Sequence, residues 1–391
     1  MPAGSLIGDG LALGDDLTGA ADRAVASALR PLGGSRPDLA CVFVSGGTPD
    51  EAAAALARVA DTVGARNVVG CTARGVIADG HAAEGVPGVS VWAASMPSVE
   101  VRAFHLEVLR TSDTIAILGM PERRPDDVVG VVLADPWSFP VDGFVAHSHD
   151  ALRGLPLTGA LASGSPAAGG TRLVVDGRVH DRGAVGVVLG GDVAVHTLVS
   201  QGCRPIGRPM TVTRAEGTTV LELAGRPALQ QAKDAVSLLP LAEQPAAVRG
   251  LHLGVVVDEY VDEHTAGDFL VRGIAGADHV AGSISVGSVV EVGSTVQFLL
   301  RDTVAAHDDL AEVLASFRRR IGLAPLAGAL LFSGDTRGRA MFASADHDVL
   351  AVRAELGLRS VAGFFAAGEI GPLGGRNQVH GLTATVLAFG A

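Results

Sequence analysis

The chain has 391 residues, 48% of them hydrophobic and 18% charged, with a formal net charge of −12 at pH 7. Such an apolar content excludes global disorder, and roughly 100–200 residues per domain suggests two or three domains. The acidic balance argues against a basic face for nucleic acid and against docking on an anionic membrane, so neither is expected as a partner.

In chain order, Gly8, Gly10 and Gly14 are spaced wrongly for a dinucleotide fingerprint and read as a turn. Residues 41–45 (CVFVS) form an apolar strand, followed by a turn at 46–49 and an alanine-rich helix over 50–63, with Thr48 or Asp50 as N-cap. A second strand, 67–70, runs into GCTARGVI (70–77). The same order recurs as strand 129–134, a proline turn at Asp135 and Pro136, helix 143–153, and GALASG (159–164). Ser45 is as far from Gly70 as Ala134 is from Gly159. Strand 329–333, turn 334–338, helix 347–356 and GFFAAGEI (363–370) make a third copy. All three copies place Gly-x-x-Ala-x-Gly just after an apolar strand, the sign of an internal repeat.

Strand–helix–strand units imply parallel pairing with right-handed crossovers. The fold class expected is therefore α/β, or mixed α+β, with duplicated units forming mixed sheets flanked by helices. Between the second and third copies, 172–212 reads as hairpins, 217–239 as one or two helices, 252–301 as short strands and 302–321 as an amphipathic helix. The domain boundary is expected near 202–218, giving domains 1–210 and 211–391.

Lys233 is the only lysine and Tyr260 the only tyrosine. A Walker-type phosphate loop is thereby excluded, and a Tyr/Lys dehydrogenase dyad would need both singletons to meet. No G-x-S-x-G supports a nucleophile elbow. Cys41, Cys71 and Cys203 lie far apart without C-x-x-C spacing, no apolar run reaches the ~18 residues of a membrane helix, and residues 1–16 lack a signal-peptide pattern. A cytoplasmic location is expected. His147, His149 and Asp150 read as solvated helix positions rather than metal ligands. Cys71 sits in a Gly-flanked turn beside Thr72 and Arg74, where a lowered thiol pKa or a small buried residue are both open readings. The densest polar cluster is C-terminal: Glu369, Arg376, Asn377 and His380, between two apolar strands.

On these residues the chain resembles the FIST family. The motifs are GCTARGVI (70–77), GCRPIG (202–207), LFSGDTRG (331–338) and GFFAAGEIGPLGGRNQVHG (363–381). Where the family often has a Cys-Asn-Gly-Arg-Gly-like turn, this chain reads Gly334-Asp335-Thr336-Arg337-Gly338: the thiol is absent and Arg337 retained. The resemblance implies a cytosolic sensor of small metabolites such as amino acids. Some similar family members bind haem, sense nitric oxide and regulate kinases or cyclic-dinucleotide enzymes.

The favoured expectation is a non-catalytic small-ligand sensor without a bound cofactor. Its ligand would bind at strand-end loops through Cys71, Thr72, Arg337, Glu369, Arg376, Asn377 and His380, with arginines for anionic groups and Glu369 for an amine. Its signal would pass to a separate enzyme such as a histidine kinase, and a homodimer stays open. Two alternatives stand beside it: a haem-based gas sensor with His380 as axial ligand, and an enzyme with Cys71 as nucleophile and His380 as base.

Overall fold

The strand Leu39–Ser45 is buried along its whole length, as a strand covered on both faces must be. Thr48 starts the helix Pro49–Thr62 with a capping box: Glu51 N donates to Thr48 Oγ1 (3.3 Å) and Thr48 N to Glu51 Oε2 (2.7 Å). The helix lays Ala52, Ala55, Leu56 and Val59 on the sheet, and the chain returns in Asn67–Ala73, parallel to Leu39–Ser45. Two further units repeat this: Asp127–Ala134, Val141–Ala151, Leu157–Leu161, and Leu326–Gly334, His347–Leu356, Val361–Ala366, both with parallel strand pairs.

This computed structural model describes residues 4–112, 114–257 and 269–391; Tyr260 and the end of the strand expected there lie outside them. The chain divides into two compact units, Met1–Val199 with Val313–Ala391, and Ser200–Glu312.

In the first unit each repeat heads its own sheet, and each sheet is completed by another repeat's hairpin. After Asn67–Ala73 the chain crosses over, and Gly75–Ala78 pairs with the third repeat, Val76 opposite Phe364. After the second repeat, Leu173–Val175 joins the first, Leu173 opposite Cys71. After the third, Gly368–Leu373 joins the second, Glu369 opposite Ala160. Gly88–Ser95, Ala184–Gly191 and Ala384–Gly390 then return antiparallel to their own repeat's first strand. The result is a pseudo-threefold arrangement whose inner faces share one core, including Phe43, Trp92, Leu133, Phe332, Phe364 and Phe389. The Phe43 and Phe364 rings, from different repeats, are 4.8 Å apart.

The first glycine of each repeated motif has a common cause. A Cβ on Gly70, Gly159 or Gly363 would lie 2.1, 2.0 or 1.7 Å from the carbonyl oxygen of Val42, Val132 or Leu331 on the neighbouring parallel strand. The last glycine lets the crossover pass the preceding sheet: Gly75 against Phe365, Gly164 against Thr72, Gly368 against Leu161.

Two expectations are corrected. The glycines at 8 and 10 lie in a strand, Leu6–Leu13, rather than a turn. Helix Leu17–Leu29 packs so closely on it that a Cβ at Gly8 would be 2.1 Å from Ala28 O, and one at Gly10 2.3 Å from Ala24 O. Residues 217–239 are not all helical: Thr219–Leu223 is a strand paired with Arg204–Glu216 and Ser283–Val286, and the helix is Ala228–Ser237. Its β-branched Thr-Thr-Val run suits that pleated, half-buried surface.

The second unit is a barrel. Arg204–Glu216 pairs with Thr295–Leu300 on one side and Thr219–Leu223 on the other, closing the sheet. Val212, Val220, Leu253, Ile284, Val296 and Phe298 fill it. Among the described residues no helix is long and apolar enough to cross a membrane.

Candidate functional site

Ligands in open parallel sheets collect at the carboxyl ends of the strands. In the third repeat, the turn after Leu326–Gly334 carries Arg337, which is fully buried. Its Nε and Nη2 donate to Asp348 Oδ2 (2.7 Å) and Oδ1 (3.0 Å), and Ser333 Oγ donates to Asp348 Oδ2 (2.7 Å). Burial alone would raise the Asp348 pKa, but the Arg337 charge and the hydrogen bonds from His347, Arg337 and Ser333 hold it well below the usual carboxylate range. Phe342 closes the turn, stacked on His347 at 3.6 Å with the Arg337 guanidinium 5.6 Å from its ring centre. Arg337 thus fastens the turn to the helix His347–Leu356.

Glu369 is also fully buried. Its Oε2 accepts from Thr383 N (3.0 Å) and Thr383 Oγ1 (2.6 Å), while Oε1 has no hydrogen-bond partner among the described residues. Burial pushes its pKa up to about 8, against the pull of Thr383 and the Arg337 charge, so the carboxyl holds a proton at neutral pH. A Cβ on Gly334 would stand 3.1 Å from Oε1, so the third-repeat turn lies directly against this carboxyl. His380 faces Glu369 across the strand pair, its ring Nε2 3.1 Å from Gly371 O.

The other expected residues are placed elsewhere. Asn377 is buried on the opposite face of the hairpin, where Nδ2 donates to Ser148 Oγ (2.9 Å) and Leu155 O (3.0 Å), and Oδ1 accepts from Leu157 N (2.8 Å). It ties the hairpin to the helix and second strand of the second repeat. Arg376 is exposed at the hairpin turn. Thr72 Oγ1 accepts from Arg172 N at 3.0 Å, fixing the hairpin donated by the second repeat.

Cys71 is wholly buried in the shared core, where burial, with Cys41 adding to it, pushes the thiol pKa well above its ordinary value. Cys71 and His380 belong to different sheets. This arrangement does not suit a Cys71 nucleophile with His380 as base. Nor does it fit His380 as a haem ligand: the ring is 3% exposed, with Gly371 packed against it and its Nε2 engaged. Among the described residues no group of three or more His, Cys, Asp or Glu is placed to hold a metal ion.

The proline turn expected after the first strand of the second repeat is present, and it holds a buried acid. Asp135 follows Asp127–Ala134 and is 1% exposed. Its Oδ2 accepts from Ser138 N (3.1 Å) and Ser138 Oγ (2.6 Å). Its Oδ1 has no hydrogen-bond partner among the described residues. Asp135 lines a cavity of 190 Å³ with Trp137, Ser138, Gly169, Asp181 and Arg182. The only available signal was Asp-Pro-Trp at the end of a buried strand.

The chain matches the model of the FIST N domain over residues 38–226 and that of the FIST C domain over 228–372. An uncharacterized protein of Mycobacterium tuberculosis (strain H37Rv) is 43% identical over 384 residues, 98% of this chain and 99% of the relative. An uncharacterized protein of Mycobacterium bovis is 41% identical over 384 residues, 98% of each chain.

Proposed function

We propose that this chain, which belongs to the FIST family through its N and C domains, is a non-catalytic sensory protein that binds a small, amino-acid-like metabolite at its strand ends. The family is associated with signal-transduction sensors. Glu369 carries the reading: a fully buried carboxyl at a strand end, with one oxygen lacking a partner among the described residues. An ammonium group supplies both the missing donor and the charge that lets this carboxyl ionise, so binding drives its proton into solvent. Because the Gly334 turn lies against the same oxygen, a ligand there has to displace that turn. Such a displacement is a readable change for a separate signalling enzyme in the cytoplasm, the partner this reading requires.

Isothermal titration of the full chain with a panel of L-amino acids tests it. The expected result is saturable binding of at least one, with close to one proton released near pH 7 and affinity at least tenfold weaker in Glu369→Gln. Absence of binding across the panel, or equal affinity in the variant, overturns the reading.

A further inference from the structure

The amino ends of the parallel strands hold a cavity that the Glu369 reading does not use. Val128 and Pro156 stand at the start of the second repeat's parallel pair, where Leu157 lies opposite Gly130, while Glu369 lies opposite Ala160 at the far end. With Val129, Pro372, His196 and Arg320 they line 310 Å³, within the range of small-molecule sites at about 300–1,000 Å³. His196 belongs to Val195–Ser200, an edge strand of the third repeat's sheet, and Arg320 to the last turn of the helix Thr303–Ile321. The Arg320 side chain folds back onto the protein: its Cζ is 5.4 Å from the centre of the buried Phe317 ring, and the His196 ring is 5.0 Å from the same ring. Guanidinium and imidazole thus share one aromatic support at the cavity wall, and neither has a hydrogen-bond or ion-pair partner among the described residues. The sign there is positive. Burial and then the Arg320 charge hold the His196 pKa below its ordinary value, and no carboxylate among the described residues pulls it back. Asp127, next to Val128, is buried and already paired with Arg102 and Arg123, so it does not offset Arg320.

We propose that this cavity binds the carboxylate of a small apolar organic acid, with the Arg320 guanidinium donating to its oxygens, the His196 imidazole beside them and the apolar body against Val128, Val129 and Pro156. The planar fork of an arginine matches two carboxylate oxygens, and its place over Phe317 positions it before any ligand arrives. An arriving carboxylate sets an attraction against the repulsion that His196 feels from Arg320, so binding favours the protonated imidazole. The site is separate from Glu369 and stands whether or not that residue takes a ligand.

Sodium hexanoate titrated into the full chain and followed by calorimetry tests the proposal. Saturable binding is expected, severalfold tighter at pH 6 than at pH 8, with that pH dependence absent in His196→Gln. Arg320→Gln, at an exposed side chain, should weaken binding at least tenfold. Hexanamide, the neutral counterpart of the same length, should bind at least tenfold more weakly than hexanoate. No saturable binding, equal affinity in Arg320→Gln and wild type, or hexanamide binding as tightly as hexanoate would each overturn the proposal. So would a pH profile that is flat in wild type or sloped in His196→Gln. Hexanoate has no ammonium group and Glu369 is unaltered throughout, so failure here leaves the amino-acid experiment unaffected.

Discussion

Two buried acids of the third repeat titrate in opposite senses, and each leaves its own mark on stability. Glu369 is raised to about 8 by burial, so between its ordinary range and that value the folded chain binds a proton the unfolded chain has released. Stability from this group is full below pH ~4.3, falls as pH rises, and is lost above about pH 8. Each pH unit in that window costs about 1.4 kcal/mol at most. Glu369→Gln should therefore flatten the decline in melting temperature between pH 5 and 8; an unchanged pH profile would mean that Glu369 ionises normally. Asp348 behaves the other way: net depressed despite its burial, it contributes stability above the ordinary carboxylate pKa that is lost as pH falls. Arg337→Ala would strand that buried charge and should cost about 3–5 kcal/mol by chemical denaturation. The Arg337 role was not legible in sequence: it reads as a ligand arginine until Asp348 is found against it. Cys71 was more open to reading, since a small buried residue at a strand end is one of the two readings its turn offers and is what the core contains.

Secondary structure was more open to reading, because local chemistry repeats. The capping sequence Thr48-Pro49-Asp50-Glu51, the apolar strands and the motif glycines together disclosed all three strand–helix–strand units, and the helix His347–Leu356 falls at its expected bounds. Sequence could not say why those glycines recur; the carbonyl of the neighbouring parallel strand answers that. Gly363→Ala, with its Cβ 1.7 Å from Leu331 O, must push two strands apart and should lose at least about 3 kcal/mol or prevent folding. Gly143→Ala is the contrast. That glycine lies inside Val141–Ala151 with nothing within 4 Å of an added Cβ, so the variant should gain about 0.5–1 kcal/mol. Melting curves of the two variants decide the point, and equal shifts would refute the close-approach account. Strand Leu6–Leu13 escaped the reading because its glycines answer to a helix packed above it, a neighbour that spacing does not reveal.

At the scale of the molecule, the exchange of hairpins between repeats was invisible in sequence, since it joins segments a hundred residues apart or more, such as Cys71 with Leu173 and Val76 with Phe364. Its joints converge on one hydroxyl: Arg74 N donates to Ser163 Oγ at 2.9 Å, and Ser163 Oγ donates to Phe365 O, so one side chain touches all three repeats. The segment Met1–Val199 contains two repeats but neither the sheet its Gly75–Ala78 strand enters nor the Gly368–Leu373 strand its second repeat receives. Expressed alone, it should fail to give a cooperative melting transition, and co-expression with Val313–Ala391 should restore one; a cooperative transition from the fragment alone would refute this. The same interlocking bears on how the protein is made. A ribosome releases the N-terminal half first, and that half waits with open strand edges and an unfinished aromatic core until the last fifth of the chain, Val313–Ala391, emerges. Synthesis therefore passes through an obligatory sticky interval, and the yield of intact protein should depend on translation speed and on chaperones that shield nascent chains.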